Sequence, residues 1–325
     1  MGDEAFFTGA DSAGPSRRNR RSLVAKITGL AFLVLILGLG GVFFLRSPVL
    51  LVTDNSFGRI YGGMRGMMVR VEAALKLFRP VKQVWIAGGS GPDMVVFAVE
   101  GISEKPFCVL FPYRYQEGAR RYAERHPGTP AAVLTGRARV SGGDDIPYIM
   151  TNTRVDLYRA GRSAAVFAGG EGEVLLFQDE SLGASEREAF ELGLQDGGFE
   201  RSPRYLRGNT ESAIPGNTSV VVIIGPADHY LRQNYDIPVI LFSWIDPELT
   251  RRSIKVFFDD SPLALAAEAA AAASTVPGEM TEIPSRVELM GQRISEKKIL
   301  LALKKVVKAD NVMRDLFGGN TTQLP

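Results

Sequence analysis

The longest uninterrupted apolar segment of the chain spans residues 27–45, which read ITGLAFLVLILGLGGVFFL and carry no charge. A helix rises about 1.5 Å per residue, so this segment just crosses a hydrocarbon core of roughly 30 Å. Lys and Arg resist translocation, so the basic residues before it should stay in the cytoplasm. These are Arg17, Arg18, Arg20, Arg21 and Lys26. The pattern predicts a single-pass anchor in the cell inner membrane, with the main domain on the periplasmic side.

A cleaved signal peptide is the alternative for the same segment. Against it, the apolar region exceeds the usual ~7–15 residues, and residues 45–48 (LRSP) offer no small-x-small cleavage site. No cysteine stands there to accept a lipid. An uncleaved signal-anchor is favoured, although residues 19–23 (NRRSL) have a weak twin-arginine character.

Beyond Pro48, apolar runs alternate with helical patterns. Residues 49–53 (VLLVT) are continuously apolar, which is typical of a strand buried on both faces of a parallel sheet. Residues 59–78 have helical spacing, with an apolar stripe of Met64, Met67, Met68, Val71, Ala74, Leu75 and Phe78. A further helix is predicted at 115–125. Further strands are predicted at 81–88, 94–99, 107–112 and 131–136.

The same alternation restarts after residues 146–152. Strands are predicted at 174–178, 219–225, 237–244 and 253–258. Helices are predicted at 154–168, 185–195 and 263–274, and a basic terminal helix at 295–312. The terminal helix is expected to pack on a lobe rather than to lie on a membrane surface.

These patterns predict the α/β class, with two doubly wound parallel-sheet lobes joined by a hinge and preceded by one transmembrane helix. The predicted divisions are a basic cytoplasmic segment at 1–26, the anchor at 27–45, an N-terminal lobe at 48–150, a C-terminal lobe at 151–255, and a hinge return with the last two helices at 256–325.

Composition narrows the functional classes. The net charge is only +2, and five basic residues belong to the membrane flank, so no nucleic-acid partner is expected. Cys108 is the only cysteine and lies in an apolar run, which favours a buried, inert thiol. Two histidines are too few for a His-rich metal site. The chain has no phosphate loop, no H-E-x-x-H and no G-x-S-x-G, so neither enzymatic activity nor a cofactor is expected.

Polar and aromatic residues cluster where the predicted strands end. In open α/β sheets, ligands bind beyond the carboxyl ends of the strands. The candidate ligand-binding residues are Asp54, Asn55, Ser56, Phe57, Tyr113, Arg137, Asn152, Asp179, Trp244, Asp246, Asp259 and Asp260. Asp, Asn and Ser at such places also serve as helix caps, and Asp260 before Ser261-Pro262 has that alternative. Phe57 and Trp244 are either core residues or stacking surfaces.

Several stretches resemble the type I periplasmic solute-binding proteins. Residues 153–165 (TRVDLYRAGRSAA) and 172–194 are similar to the helix after the first hinge crossing and to the strand, loop and helix that follow it. Asp228 with 237–240 (IPVI) and residues 257–270 (FFDDSPLALAAEAA) are similar to the family's later segments. Residues 51–57 (LVTDNSF) are similar to the first strand and loop of the basic-membrane-protein branch.

The resemblance implies two lobes that close over a small ligand, with an ABC permease or another integral-membrane protein as partner. It places ligand contacts at residues 55–57, Arg137, Asn152, Asp246, and Asp259 or Asp260. Two features depart from sugar-binding members: Arg187 lies three residues before Phe190 rather than four, and the first loop is shorter.

The expected function is that of a membrane-anchored solute-binding protein that captures a small polar or aromatic ligand for an ABC-type transporter. The ligand would be a nucleoside, an amino acid or a sugar-like molecule. Acidic side chains and Arg137 would hydrogen-bond it, and Phe57, Tyr113 or Trp244 would cover its apolar face. The alternative is a ligand-sensing or scaffolding receptor of the same fold that works with a membrane partner without transport.

Overall fold

A computed structural model describes residues 17–55, 63–103, 105–137, 145–170, 172–178, 182–207, 214–224, 237–242, 253–273, 278–291 and 294–308. The chain divides into two compact units, Met1–Arg46 and Ser47–Pro325. The first contains helix α1 (Arg17–Leu45), so the apolar segment and the basic residues before it share one helix. Within the described ranges, no helix has both the length and the apolar character that crossing a membrane requires. The anchor at 27–45 stays a prediction.

The second unit contains two sheets. Sheet 1 is formed by β1 (Val49–Asp54), β2 (Val81–Ile86), β3 (Cys108–Pro112), β4 (Ala131–Gly136), β5 (Tyr148–Thr151) and β11 (Met280–Ile283). Their order is β11-β5-β4-β3-β1-β2, and every pairing is parallel. Sheet 1 and the helices that cover it are called lobe 1.

Helices cover both faces of sheet 1, which is why every residue of β1 is buried. Helices α3 (Pro92–Glu100) and α4 (Gln116–Arg125) pack on one face, through Val95, Val96 and Tyr122. Helices α2 (Gly63–Leu77) and α7 (Pro262–Ala272) pack together, and α7 lies against β1, β3 and β4. The continuous apolar run at 49–53 therefore indicated a doubly covered strand correctly.

The strand predicted at 94–99 is wrong, because these residues lie in helix α3. Pro92 occupies the first turn, where its missing N–H leaves no hydrogen bond unmade. Val95, Val96 and Val99 are buried, whereas Phe97 is 70% exposed, which is helical spacing. A short apolar run does not distinguish a strand from a buried helix by itself.

Helix α2 is present, but its predicted apolar stripe does not form the buried face. Val69 and Ala73, which lie outside the stripe, are buried together with one stripe residue, Ala74, whereas the stripe residues Met67, Met68, Val71 and Leu75 are exposed. The reason is the partner: α7 presents a wall of alanines, and small residues let two helices approach closely.

Sheet 2 is formed by β6 (Glu173–Gln178), β7 (Arg204–Arg207), β8 (Thr218–Ile223), β9 (Val239–Phe242), β10 (Ile254–Asp259) and β12 (Arg286–Leu289). Their order is β12-β10-β9-β8-β6-β7, and only β12 is antiparallel to its neighbour among these strands. Helices α5 (Thr153–Ala168), α6 (Ala184–Asp196) and α8 (Lys297–Val306) share one core with this sheet. Together they form lobe 2. Strands β5, β7, β11 and β12 were not predicted from the sequence.

Helices α5 and α6 meet backbone to backbone. A Cβ placed on Gly161 would lie 2.2 Å from the Phe190 carbonyl oxygen, and one on Gly193 would lie 2.1 Å from the Tyr158 carbonyl oxygen. Any side chain at either position would force the helices apart.

The chain passes between the lobes three times: from β5 to α5, from β10 to α7, and from β11 to β12. Each passage, here called a crossing, is only a few residues long. The prediction of an α/β fold with two parallel-dominated sheets in two lobes is confirmed.

Candidate functional site

A buried carboxylate stands at the carboxyl end of sheet 1. Asp54 ends β1 and is almost completely buried. Its Oδ2 accepts hydrogen bonds from Arg114 Nη1 at 2.6 Å and from the Tyr115 hydroxyl at 2.7 Å. Both donors follow β3, the strand beside β1, so parallel pairing brings these side chains together. Arg114 is recognisable from the sequence as a polar residue beside Tyr113 at the end of a predicted strand, but it is not among the twelve candidate ligand-binding residues, and neither is Tyr115, with which the helix predicted at 115–125 begins.

The hydrogen bond to Asp54 holds the cationic side chain of Arg114 at the carboxyl edge of sheet 1, which is here called the rim of lobe 1. The Arg114 side chain is about half exposed, whereas its partner Asp54 is sealed. Burial, with the Asp54 carboxylate as hydrogen-bond acceptor, raises the pKa of Tyr115 to about 12, so this phenol stays a donor. A guanidinium has five N–H donors, so one that is hydrogen-bonded to a carboxylate keeps further donors for a ligand that carries oxygen atoms.

A second arginine connects the two lobes. Arg137 follows β4 of lobe 1, and its Cζ lies 5.9 Å from the ring centroid of Phe242, which ends β9 of lobe 2. Phe242 stacks on Phe258 of β10, with centroids 4.7 Å apart. Arg159 Cζ lies 5.6 Å from the Phe258 ring. Phe242, Phe258 and Arg159 all belong to lobe 2, so the contact of Arg137 with Phe242 is the one that brings the carboxyl edges of the two sheets together.

Three other predicted residues have structural partners at the crossings. Asn152 caps α5, since its Oδ1 accepts from Val155 N at 3.0 Å. Asp259 is buried, and its Oδ1 accepts from Ser261 N at 3.2 Å. Asp260 is partly exposed, and the cap that it was considered for is Ser261, which accepts from Ala264 N. The capping alternative is thus right for Asn152 and wrong for Asp260.

Of the remaining candidate residues, two are exposed and the others lie outside the described residues. Asn55 is exposed after β1, and Tyr113 is 38% exposed beside Arg114, in the 3-10 turn Tyr113–Tyr115. Both lie where a ligand could reach them. Ser56, Phe57, Asp179, Trp244 and Asp246 lie outside the described residues.

A buried polar cluster that the sequence analysis missed ties the crossings together. Asp156 and Arg159, on the first turns of α5, are paired at 3.2 Å. Asp156 accepts from the Ser285 amide at 3.0 Å, and Arg159 Nη1 donates to the Ser285 carbonyl at 2.9 Å. Arg159 Nε also donates to the Val307 carbonyl at 2.7 Å. Burial raises the pKa of Asp156 to about 6, against the opposing effect of Arg159.

Comparison with known proteins extends to the fold alone. No family model matches the chain, and neither does any curated protein. A transcriptional activator of the comK gene from Bacillus halodurans is 12% identical, with a TM-score of 0.50 over 86% of this chain and 100% of that one.

Two solute-binding proteins are similar at lower scores. An ABC transporter periplasmic solute-binding protein from Actinobacillus succinogenes, with bound D-allose, is 15% identical over 76% of this chain and 99% of that one, with a TM-score of 0.45. The arabinose-binding protein AraP from Geobacillus stearothermophilus is 13% identical over 76% and 98%, with a TM-score of 0.46. These likenesses show the fold alone, which consists of two α/β lobes, each built on a sheet of mainly parallel strands.

Proposed function

We propose that this chain is a membrane-anchored solute-binding protein that captures a small polar or aromatic ligand between its lobes for an ABC-type transporter. The observation that carries the proposal is the Arg114 guanidinium, held at the rim of lobe 1 by the buried Asp54. An arginine supported in this way is ready to hydrogen-bond a carboxylate, a hydroxyl pair or a nucleobase carbonyl.

The contact between Arg137 and Phe242 supports a site between the lobes, because it joins residues from both carboxyl edges. Rotation about the three crossings would bring these edges together or apart. Tyr113 and Asn55, both exposed at the same rim, would contribute further contacts to the ligand. The closed form would present the surface that a membrane partner recognises.

Ligand binding is tested by a thermal-shift screen of the full chain in mild detergent, with nucleosides, amino acids and monosaccharides at millimolar concentration. One class should raise the melting temperature. Arg114→Gln should then weaken binding about tenfold, because a charge-assisted hydrogen bond contributes roughly 1.5–3 kcal/mol. Arg125→Gln is the matched control, since Arg125 is another exposed arginine paired with an aspartate, Asp93, but lies on α4. No shift with any compound would argue against the proposal.

Anchoring at residues 27–45 is a separate part of the proposal. It is supported by the uncharged nineteen-residue run and the basic residues before it. The full chain should remain with membranes after alkaline carbonate washing, and the double variant Leu33→Arg and Leu37→Arg should be released. An alkaline phosphatase fused after residue 325 should be active, as it is only outside the cytoplasm. Release of the unaltered chain would exclude the anchor, and an inactive fusion the periplasmic orientation.

A further inference from the structure

A cavity of about 390 Å³ lies beside the β11–β12 crossing, between helices of the two lobes. Lobe 1 contributes α2 and α7 to its walls, and lobe 2 contributes α5, β12 and the residues just after α8. Among the described residues, Asp54, Arg114 and Arg137 do not line it. It is therefore a second cavity, separate from the rim where we place the transported ligand.

Cationic side chains outnumber anionic ones around this cavity. Its charged lining residues are Lys76, Arg159, Arg286, Lys308, Glu72 and Glu268. Glu268 is paired with Lys76, and Glu72 with Arg286, whose Nη2 lies 2.6 Å from the Glu72 Oε2. Lys308 is exposed and has no ion pair with any residue that the structure describes. Arg159 is paired with Asp156, which does not line the cavity. The unbalanced charge is therefore that of Lys308, and it favours a ligand that carries a negative group.

Apart from Ser285, the uncharged residues of the cavity wall are apolar. Val69 and Ala73 of α2, Ala264 and Ala267 of α7, and Val287 of β12 line it. Sites for small organic ligands combine such walls with a few charged groups, and occupy about 300–1,000 Å³. A bare inorganic anion would leave these walls uncovered, whereas an aromatic or short-chain carboxylate would fill them.

A ligand in this cavity would contact both lobes close to the crossings. The Glu72–Arg286 ion pair spans the same gap, and rotation of the lobes must change it. Arg159 faces the cavity and also touches Phe258, the ring that stacks on Phe242 beneath Arg137. A ligand whose contacts differ between the open and closed lobes shifts the equilibrium between them, and is itself bound differently in each.

We propose that this cavity is a regulatory site for a small organic carboxylate with an apolar body, which binds between α2, α7 and the β11–β12 crossing. Its effect on the transported ligand rests on the proposed function, whereas the binding itself does not. Because the two sites use different residues, each is tested by its own variants.

The experiment is isothermal titration of the full chain in detergent with benzoate as the probe, in a carboxylate-free buffer. Binding should be saturable and should weaken about fivefold or more in Lys308→Glu, because the variant replaces an attractive charge by a repulsive one. Lys304→Glu is the matched control: it makes the same charge change on an exposed lysine of α8 that does not line the cavity. Its affinity should stay within about twofold of the unaltered chain.

Three results would overturn the proposal. The first is no saturable binding of benzoate at tens of millimolar. The second is an affinity that falls in Arg114→Gln but not in Lys308→Glu, which would place benzoate at the rim of lobe 1. The third is equally strong binding of sulfate, which would show that the apolar walls contribute nothing. If benzoate binds but no compound in the metabolite screen does, the cavity is confirmed as a binding site and the proposed transport function is unsupported.

Discussion

Replacing Asp156 with asparagine should remove a specific pH dependence from the stability of residues 47–325. In the folded protein, burial raises the pKa of Asp156 from 3.8 to about 6, so the native state holds this proton more tightly than the unfolded chain. A raised pKa makes a contribution to stability that is complete below about pH 4 and is lost as the pH rises through 6.

The magnitude follows from the two pKa values. One pKa unit corresponds to about 1.36 kcal/mol, so the rise from 3.8 to about 6 amounts to about 3 kcal/mol. About 2 kcal/mol of this falls between pH 4.5 and pH 7.5, where other carboxylates titrate least. The asparagine side chain cannot ionise, so the variant lacks this loss. Removing the partner of Arg159 also changes stability, but by an amount that is nearly independent of pH.

The measurement is urea unfolding, followed by circular dichroism at pH 4.5, 6.0 and 7.5, of both proteins as the compact unit 47–325. Between the lowest and highest pH, the unaltered protein should lose about 2 kcal/mol relative to the variant. Asp93→Asn is the control. The side-chain hydrogen bond from Arg121 lowers the pKa of the exposed Asp93 from 3.8, so its stabilising effect is lost only below the pH range of this measurement, and the difference between this variant and the unaltered protein should stay nearly constant from pH 4.5 to pH 7.5. A constant difference between Asp156→Asn and the unaltered protein would refute the reasoning.

Three shorter predictions concern packing, the rim network and the thiol. Gly161→Ala should lower the free energy of unfolding by about 3 kcal/mol or more in urea titrations, because its Cβ would overlap the Phe190 carbonyl. Gly118→Ala should cost less than about 1 kcal/mol, because its Cβ would meet Val95 side-chain atoms at 3.0 and 3.1 Å and the Pro92 carbonyl oxygen only at 3.6 Å. Tyr115→Phe should cost about 1–2 kcal/mol in thermal unfolding, since the buried Asp54 loses a donor, and an unchanged melting temperature would contradict the network. Cys108, whose pKa burial raises to about 12, should resist iodoacetamide at pH 8 until urea unfolds the chain, and rapid native labelling would show that the thiol is accessible.

The sequence was most informative where burial is complete on both sides. Residues 49–53 and 107–112 are apolar throughout because helices cover both faces of sheet 1, and both runs form strands. The apolar run at 94–99 was wrongly predicted as a strand. Pro92 and the helical spacing of the three buried valines were the features that indicated a helix there. The apolar stripe on α2 was wrongly predicted as its buried face for another reason. The helix that packs against α2 is the Ala-rich α7, and this pairing is seen only in the fold.

The candidate site was predictable in position but not in detail. Parallel strands place polar residues at one edge, and Asp54 and Arg137 do lie there. Whether such a residue is free to bind a ligand depends on whether a backbone amide lies within its reach. The side chain of Asn152 accepts a hydrogen bond from Val155 N and so caps a helix. The Asp156–Arg159 pair was hidden because acidic and basic residues at that spacing are common on exposed helix faces. Its burial comes from Ser285, which lies 129 residues further along the chain.

The return of the chain to lobe 1 determines the order in which the protein can become stable. Strand β1 begins at Val49, yet α7 (Pro262–Ala272), which lies against it, and β11 (Met280–Ile283), which completes the sheet edge, come more than two hundred residues later. Contacts so distant in sequence close large loops, and they slow folding. A growing chain that has reached the end of β5 therefore still lacks helix α7 and the edge strand β11 of its first lobe. Such a chain remains incompletely folded until α7 and β11 have been made.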